Sequence, residues 1–318
     1  MKRKWIRRVS WILLTPVLLF VILMILLYIP PVQNLLRREV TAYASKATGM
    51  QIQVERIDLR FPLNLLVRGV EVIQQPDTLL SLESLNVRVQ AWPLVKGKVE
   101  VDEVTLSQVA FNSANLIEGM KIKGVLGRFF LQSHGVDLSN ELAVINQTEL
   151  SDTHVQMLMN DTTTTPKDTT ASAPVNWKVD LHKLKLKNVS FSMQLPADSM
   201  RMAAHIGEAF INDAQADLKN QFYELKQFLL SGSSANYDTG AAKPGEGFDA
   251  SHIAVRDIRI GLDSLLYKGR DMNAVIREFS MNERSGLSIT SLTGRAFSND
   301  SIIRIPGIKL QTPHSEID

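Results

Sequence analysis

The stretch QIQVERIDLRF, residues 51–61, decides how this chain is read. Ile52, Val54, Ile57 and Leu59 are set among Gln, Glu, Arg and Asp at a period close to two. That spacing predicts a strand with one apolar and one polar face, because successive side chains of a strand point to opposite sides. SLNVRVQ at 84–90 and GKVEVDEVTL at 97–106 repeat the pattern, and Pro62, Gly69, Pro76, Pro93 and Gly97 punctuate it. From residue 50 onward the expected fold class is mostly β.

A looser self-similarity runs further along. LVRGVEV (66–72), LSQVAF (106–111), LKNVSF (186–191), VRDIRI (255–260) and IRIPGIKL (303–310) each set a polar or turn-prone pair between two β runs. Their spacing is irregular, so the expectation is one β unit used repeatedly with variable loops, not a solenoid of fixed period. Residues 160–174, NDTTTTPKDTTASAP, have almost nothing to bury and read as a flexible linker or loop. They divide a first β segment, 50–159, from a second, 175–318. Residues 231–252 read as a second weak loop. Residues 216–230, ADLKNQFYELKQFLL, fit a helix or a strand and are assigned to a strand or hairpin from their β context. The last strand is expected over Ile303–Leu310. With no element after it to cover a sheet edge, the chain is read as the N-terminal part of a longer protein.

Upstream of the strands the pattern is different. The run from Trp11 to Ile29 carries no charge. Its 19 residues span about 28 Å as a helix, near the roughly 30 Å of a bilayer's hydrocarbon core. A cleaved signal has a shorter apolar core and a small-residue cleavage site, and neither is present. The run is therefore read as a transmembrane helix at 11–29, with Trp11, Leu13, Leu18, Phe20, Leu23, Leu26 and Tyr28 in the bilayer. Residues 1–10 hold Lys2, Arg3, Lys4, Arg7 and Arg8 without an acid. This basic tail is expected in the cytoplasm, with the body beyond the inner membrane. Val32, Leu35, Leu36, Val40, Tyr43, Ala44 and Ala47 then recur at helical spacing, ahead of a Gly49 cap. This predicts an amphipathic helix at 32–48, its apolar stripe packed on the next domain or plugging the end of a β structure.

Composition and motif searches point away from chemistry. The net charge is +2, with much of the excess in the N-terminal tail, so no basic patch marks nucleic acid. The chain has no cysteine, which removes disulfides, thiol nucleophiles and thiolate metal sites and suits a periplasmic protein. His134, His154, His182, His205, His252 and His314 are scattered singly, without the i, i+4 pairing of a helical zinc site. The glycines of GMKIKG, 119–124, resemble a P-loop, but Val125 and Leu126 stand where Lys and Ser/Thr are needed. Asp102 and Glu103 are neighbours in a strand and face opposite ways. No catalytic residue, metal or cofactor is assigned, and an enzyme is not expected.

What remains is surface. Strands with an apolar face must hide it in a sandwich core, or line a trough that shelters acyl chains. Few helices are available between the strands to cover a sheet. At this point TGMQIQVERIDLRF, LLVRGVEV, PDTLLSLESLNVRV and VEVDEVTLSQVAF resemble the start of the AsmA-like proteins. EFSMNERSGLSITSLTGRAFSNDSIIRIPGIKLQTPHSEI is similar to the TamB-type members found in Bacteroidota. The resemblance implies an inner-membrane anchor and a β-taco, a long groove with an apolar interior that crosses the periplasm. It implies phospholipid acyl chains as cargo, moved toward the outer membrane, and an outer-membrane barrel protein as a partner in outer-membrane biogenesis. On that basis Ile52, Val54, Ile57, Leu59, Leu85, Val87, Val89, Val99, Val101, Val104 and Leu106 are expected to line the groove. A closed core would bury the same residues. A periplasmic scaffold or assembly factor for outer-membrane proteins, binding protein instead of lipid, is the alternative.

Overall fold

The computed structural model describes residues 29–60, 63–90, 93, 100–137, 140–160, 176–240 and 243–318. The basic tail, residues 11–28 of the apolar run, Val99 and residues 161–174 of the Thr/Pro-rich stretch lie outside them. A helix, α1 (Pro30–Thr48), opens the described chain. Pro at its first turn suits the fixed φ of that ring. Gly49, at φ 69°, closes it with an N–H to the Ser45 carbonyl. Among the described residues no helix is long and apolar enough to cross a membrane.

One sheet follows, of sixteen strands among the described residues. In chain order they are β1 (Gln51–Arg60), β2 (Asn64–Gln74), β3 (Asp77–Val89), β4 (Val101–Asn112), β5 (Met120–Asp137), β6 (Leu142–Met159), β7 (Lys178–Leu195), β8 (Met200–Asp217), β9 (Phe222–Asp238), β10 (His252–Lys268), β11 (Asp271–Glu283), β12 (Ser288–Ile289), β13 (Ser291–Ser298), β14 (Ile303–Arg304), β15 (Lys309–Gln311) and β16 (Glu316–Ile317). Each strand from β1 to β11 pairs with the next, then β11 with β13, β13 with β15 and β15 with β16. All pairs are antiparallel except β6–β7, which runs parallel from Leu142↔Lys178 to Leu158↔Gln194. The strands on both sides of residues 161–175 therefore belong to one sheet.

One segment reading holds and one loop reading changes. Residues 216–230 form a hairpin: β8 ends at Asp217, Asn220 donates to the Asp217 carboxylate in the turn, and β9 begins at Phe222. The weak loop expected over 231–252 is strand as far as Asp238. Its Ser/Gly-rich part is held on both sides by pairing with β8 and β10, which overrides local propensity. At the other end, Ile303–Leu310 is not one strand. Pro306 removes an N–H and Gly307 turns the chain at φ 64°, leaving the short β14 and β15.

The amphipathic helix also packs differently from expectation. Gln33 donates to the Leu59 carbonyl at 3.4 Å and Arg37 to the Glu55 carbonyl at 2.7 Å. The Ile52 N–H donates to Ser45 Oγ at 3.1 Å. The helix thus lies along the free edge of β1 and satisfies backbone groups that a sheet edge leaves unpaired. A strand edge selects hydrogen-bonding side chains, so it is the polar side that faces the sheet. Leu35, Val40 and Tyr43 of the expected packing stripe are exposed.

No second layer covers the sheet among the described residues. None of their side chains is fully buried, and the buried apolar residues, such as Ile57, Leu82, Val109, Ala209 and Ala274, are spread along the sheet.

Candidate functional site

The cross-strand register shows what one face of this sheet is made of. Directly paired residues share a face. Starting at Ile57, the pairs run Val67, Leu85, Leu106, Phe129, Leu150, Leu186, Ala209, Leu230, Ile260 and Phe279, one residue from each strand from β1 to β11. At about 4.8 Å per strand this apolar ladder is roughly 48 Å long. A second ladder runs from Leu59 through Leu65, Val87, Val104, Leu131, Thr148, Leu184, Ile211 and Phe228 to Leu262. A third joins Ile52, Val72, Leu80, Phe111, Gly124, Val155, Phe191, Ala204, Ala235 and Val255. No residue of the three is charged across β1 to β10.

These ladders could not stay on one face if the strands alternated strictly. In β7 the apolar residues are Val179, Leu181, Leu184, Leu186, Val189, Phe191, Met193 and Leu195, at i, i+2, i+5, i+7, i+10, i+12, i+14 and i+16. The pairs between them, His182–Lys183 and Lys187–Asn188, are exposed. A simple two-residue period would have sent Leu184 to the other face. The chain corrects the phase with a left-handed residue in the strand. Gly69, Gln108, Asp152, Asn188, Gly232 and Asp257 have φ between 49° and 59°, and Asp213 has φ 48°. Each follows an apolar–polar pair, as in Val67–Arg68–Gly69, Leu106–Ser107–Gln108, Leu186–Lys187–Asn188 and Val255–Arg256–Asp257. Four of the five self-similar segments are therefore not turns; only IRIPGIKL, 303–310, turns, at Pro306–Gly307. The other four are points within strands where the pleat slips by one residue.

The slips are aligned. By the flanking register Glu55, Gly69, Glu83, Gln108, Gly127, Asp152, Asn188, Gly207 and Gly232 stand side by side from β1 to β9. Three of the glycines are required by space, the first being Gly69, where a Cβ would lie 2.7 Å from the Glu55 Cβ. A Cβ on Gly127 would lie 2.7 Å from the Asp152 Cβ, and one on Gly207 2.5 Å from the Gly232 carbonyl oxygen. Asn188 donates to the Asp152 carboxylate at 2.8 Å across the line. Departures of this kind bend strands and raise their twist. Six residues away along β7, β8 and β9, His182, Asp213 and Lys226 mark a second line, with His182 Nδ1 3.1 Å from Asp213 Oδ1. Its hydrogen bond to His182, followed by the charge of Lys226, holds the Asp213 carboxyl below the usual range.

The apolar face is neither buried nor fully exposed. Every residue of the Leu59–Leu262 ladder is half-buried, as are all members of the Ile57–Phe279 ladder except the buried Ile57 and Ala209. A shallow apolar depression of ≈ 200 Å³ lies on it between Val179, Leu181, Ala216, Tyr223, Leu225 and Leu265. The opposite side carries ion pairs such as Arg88–Glu103 at 3.2 Å and Arg277–Asp263 at 3.0 Å. These are solvent-facing and worth little to stability.

Ten of the eleven residues expected to line a groove fall on this face: Ile52, Val54, Ile57 and Leu59 on β1, Leu85, Val87 and Val89 on β3, and Val101, Val104 and Leu106 on β4. Val99 is outside the described residues, as are Trp11, Leu13, Leu18, Phe20, Leu23, Leu26 and Tyr28. The sequence reading missed the larger part of the face, from Phe129 on β5 to Ile260 on β10. The i, i+2, i+5, i+7 spacing would have found it.

The histidines are not gathered. His205 meets Ser190 at 2.9 Å and the buried His252 meets Asp238 at 3.1 Å. Asp102 accepts from Gln90, while Glu103 pairs with Arg88. Among the described residues no group of His, Asp and Glu is arranged to hold a metal. No family model matches this chain, and no curated protein matches it in sequence.

Proposed function

We propose that this chain is a membrane-anchored periplasmic carrier whose apolar sheet face takes phospholipid acyl chains and passes them from the inner toward the outer membrane. The observation that carries the reading is a charge-free apolar face, ten strands wide, that no other element covers among the described residues. An open apolar surface of this extent marks a binding surface, because soluble proteins rarely leave one in water. Each methylene moved onto it is worth about 0.8 kcal/mol. The face offers no charge to a headgroup, so a lipid would lie with its chains on the sheet and its headgroup in water. The bends along the aligned slips would curve the sheet around such a cargo into a β-taco-like trough. In this reading residues 11–29 hold the chain in the inner membrane, the protein catalyses no reaction, and an outer-membrane barrel protein stands at the receiving end.

The test is to purify the detergent-extracted chain, extract it with organic solvent and identify bound lipid by mass spectrometry. Stoichiometric phospholipid is expected, reduced several-fold in Val87→Asp and Val101→Asp variants whose circular dichroism is unchanged. Wild-type protein that is folded, lipid-free and takes up no added phospholipid would instead favour a scaffold that binds protein.

A further inference from the structure

The outward side of α1 has no role in the sheet. Val40 and Tyr43, 47% and 76% exposed, continue a stripe begun by Ile29 and Val32, at i, i+3, i+11 and i+14. Leu35 is 57% exposed beside them. The hydrogen-bonding side of the helix is already engaged, since Gln33, Arg37 and Ser45 are bonded to β1.

We propose that α1 lies in the surface of the membrane, with Val40 and Tyr43 turned into the headgroup layer and the β1 edge held directly above it. The inference rests on residues 11–29 being a membrane span. That apolar run ends at Ile29, which is the N-cap of α1, so no connecting chain separates the two. A span ending there delivers the helix at the interface. The helix is too polar to enter the bilayer core itself, and a helix with one apolar and one engaged polar side lies in the interface plane. The stretch from Ile29 to Tyr43 is about 21 Å at the helical rise. An aromatic ring such as Tyr43 is favoured at headgroup depth. Arg38 and Lys46 are exposed on the helix with one acid, Glu39, which suits an anionic lipid surface. The consequence is geometric: the first strands of the apolar face would start at the lipid surface, with no gap of water to cross.

The absence of cysteine makes the test clean. Single variants Leu18→Cys, Val40→Cys, Tyr43→Cys and Asp300→Cys are labelled with an environment-sensitive fluorophore. The full chain is placed in nanodiscs of phosphatidylethanolamine and phosphatidylglycerol, with and without nitroxide-bearing lipid. Labels at 18, 40 and 43 should be quenched roughly twofold or more by the nitroxide lipid, as expected for side chains about 5–10 Å into the interface or deeper, and the label at 300 should not. Quenching at 18 without quenching at 40 and 43 would overturn the interfacial helix and leave the span intact. No quenching at 18 would overturn both.

Discussion

Asn188 and Gly127 show how much a single backbone position decides. Asn188 sits mid-strand at φ 52°, a region that β-branched residues avoid, and its amide bonds Asp152. Asn188→Gly should be close to neutral, while Asn188→Val should cost about 1–3 kcal/mol through backbone strain. Gly127→Val, forced against Asp152, should cost a similar amount, roughly 1–3 kcal/mol. Shifts in the urea midpoint measure both, and a neutral Asn188→Val would contradict the slip assignment. Glu283 carries a pH-dependent contribution. Hydrogen bonds from the Ser285 hydroxyl and N–H, then from the Ala254 N–H, pull its pKa down to about 2 from the ordinary 4.5. A carboxylate with a lowered folded pKa stabilises above its unfolded pKa and loses that contribution as pH falls through the folded value. Wild type should therefore exceed Glu283→Gln in stability at pH 7, with the gap closing between about pH 4.5 and pH 2 in thermal melts. At this scale the sequence was half legible. Ile52, Val54, Ile57 and Leu59 were placed on one face, yet Arg68–Gly69 and Lys187–Asn188 read as turn-prone breaks, because αL formers mark turns far more often than slips within a strand.

The elements were legible wherever a two-residue pattern lasted. β1, β3 and β4 carry it plainly, and the 216–230 segment resisted assignment for a physical reason. Tyr223 and Leu225 precede the slip at Lys226–Gln227, and Phe228 and Leu230 follow it, so neither a helix nor a plain strand fits. Helix α1 was legible as a helix but not in its orientation, since sequence does not reveal that a strand edge will be its partner. That orientation predicts a protective role. Ser45→Ala with Arg37→Ala should raise amide exchange at Ile52 and in the rest of β1, leave β7–β8 protected, and promote association through the freed edge. Hydrogen exchange with mass spectrometry reads the first effect and light scattering the second. Unchanged β1 protection would mean that the helix is not what guards this edge.

At the scale of the whole molecule, one open sheet has traded a second layer for an apolar face about ten strands wide. Loss of that cover leaves many Val, Leu and Phe side chains half in water, at an unfavourable transfer energy of about 25 cal/mol for each Å² left wet. An acyl chain on the face would recover part of it. The mostly β class was legible in the sequence, and the openness was not, since a sandwich core and an open face bury the same alternating residues until a register is known. The most direct measurement is photo-crosslinking in cells. Benzoylphenylalanine is placed at Leu106 and Leu230 on the apolar face, and at their chain neighbours Thr105 and Ser231 on the other. Phospholipid adducts at 106 and 230 but not at 105 and 231 are the predicted result. Adducts on neither face, or protein adducts alone at 106 and 230, would contradict the account.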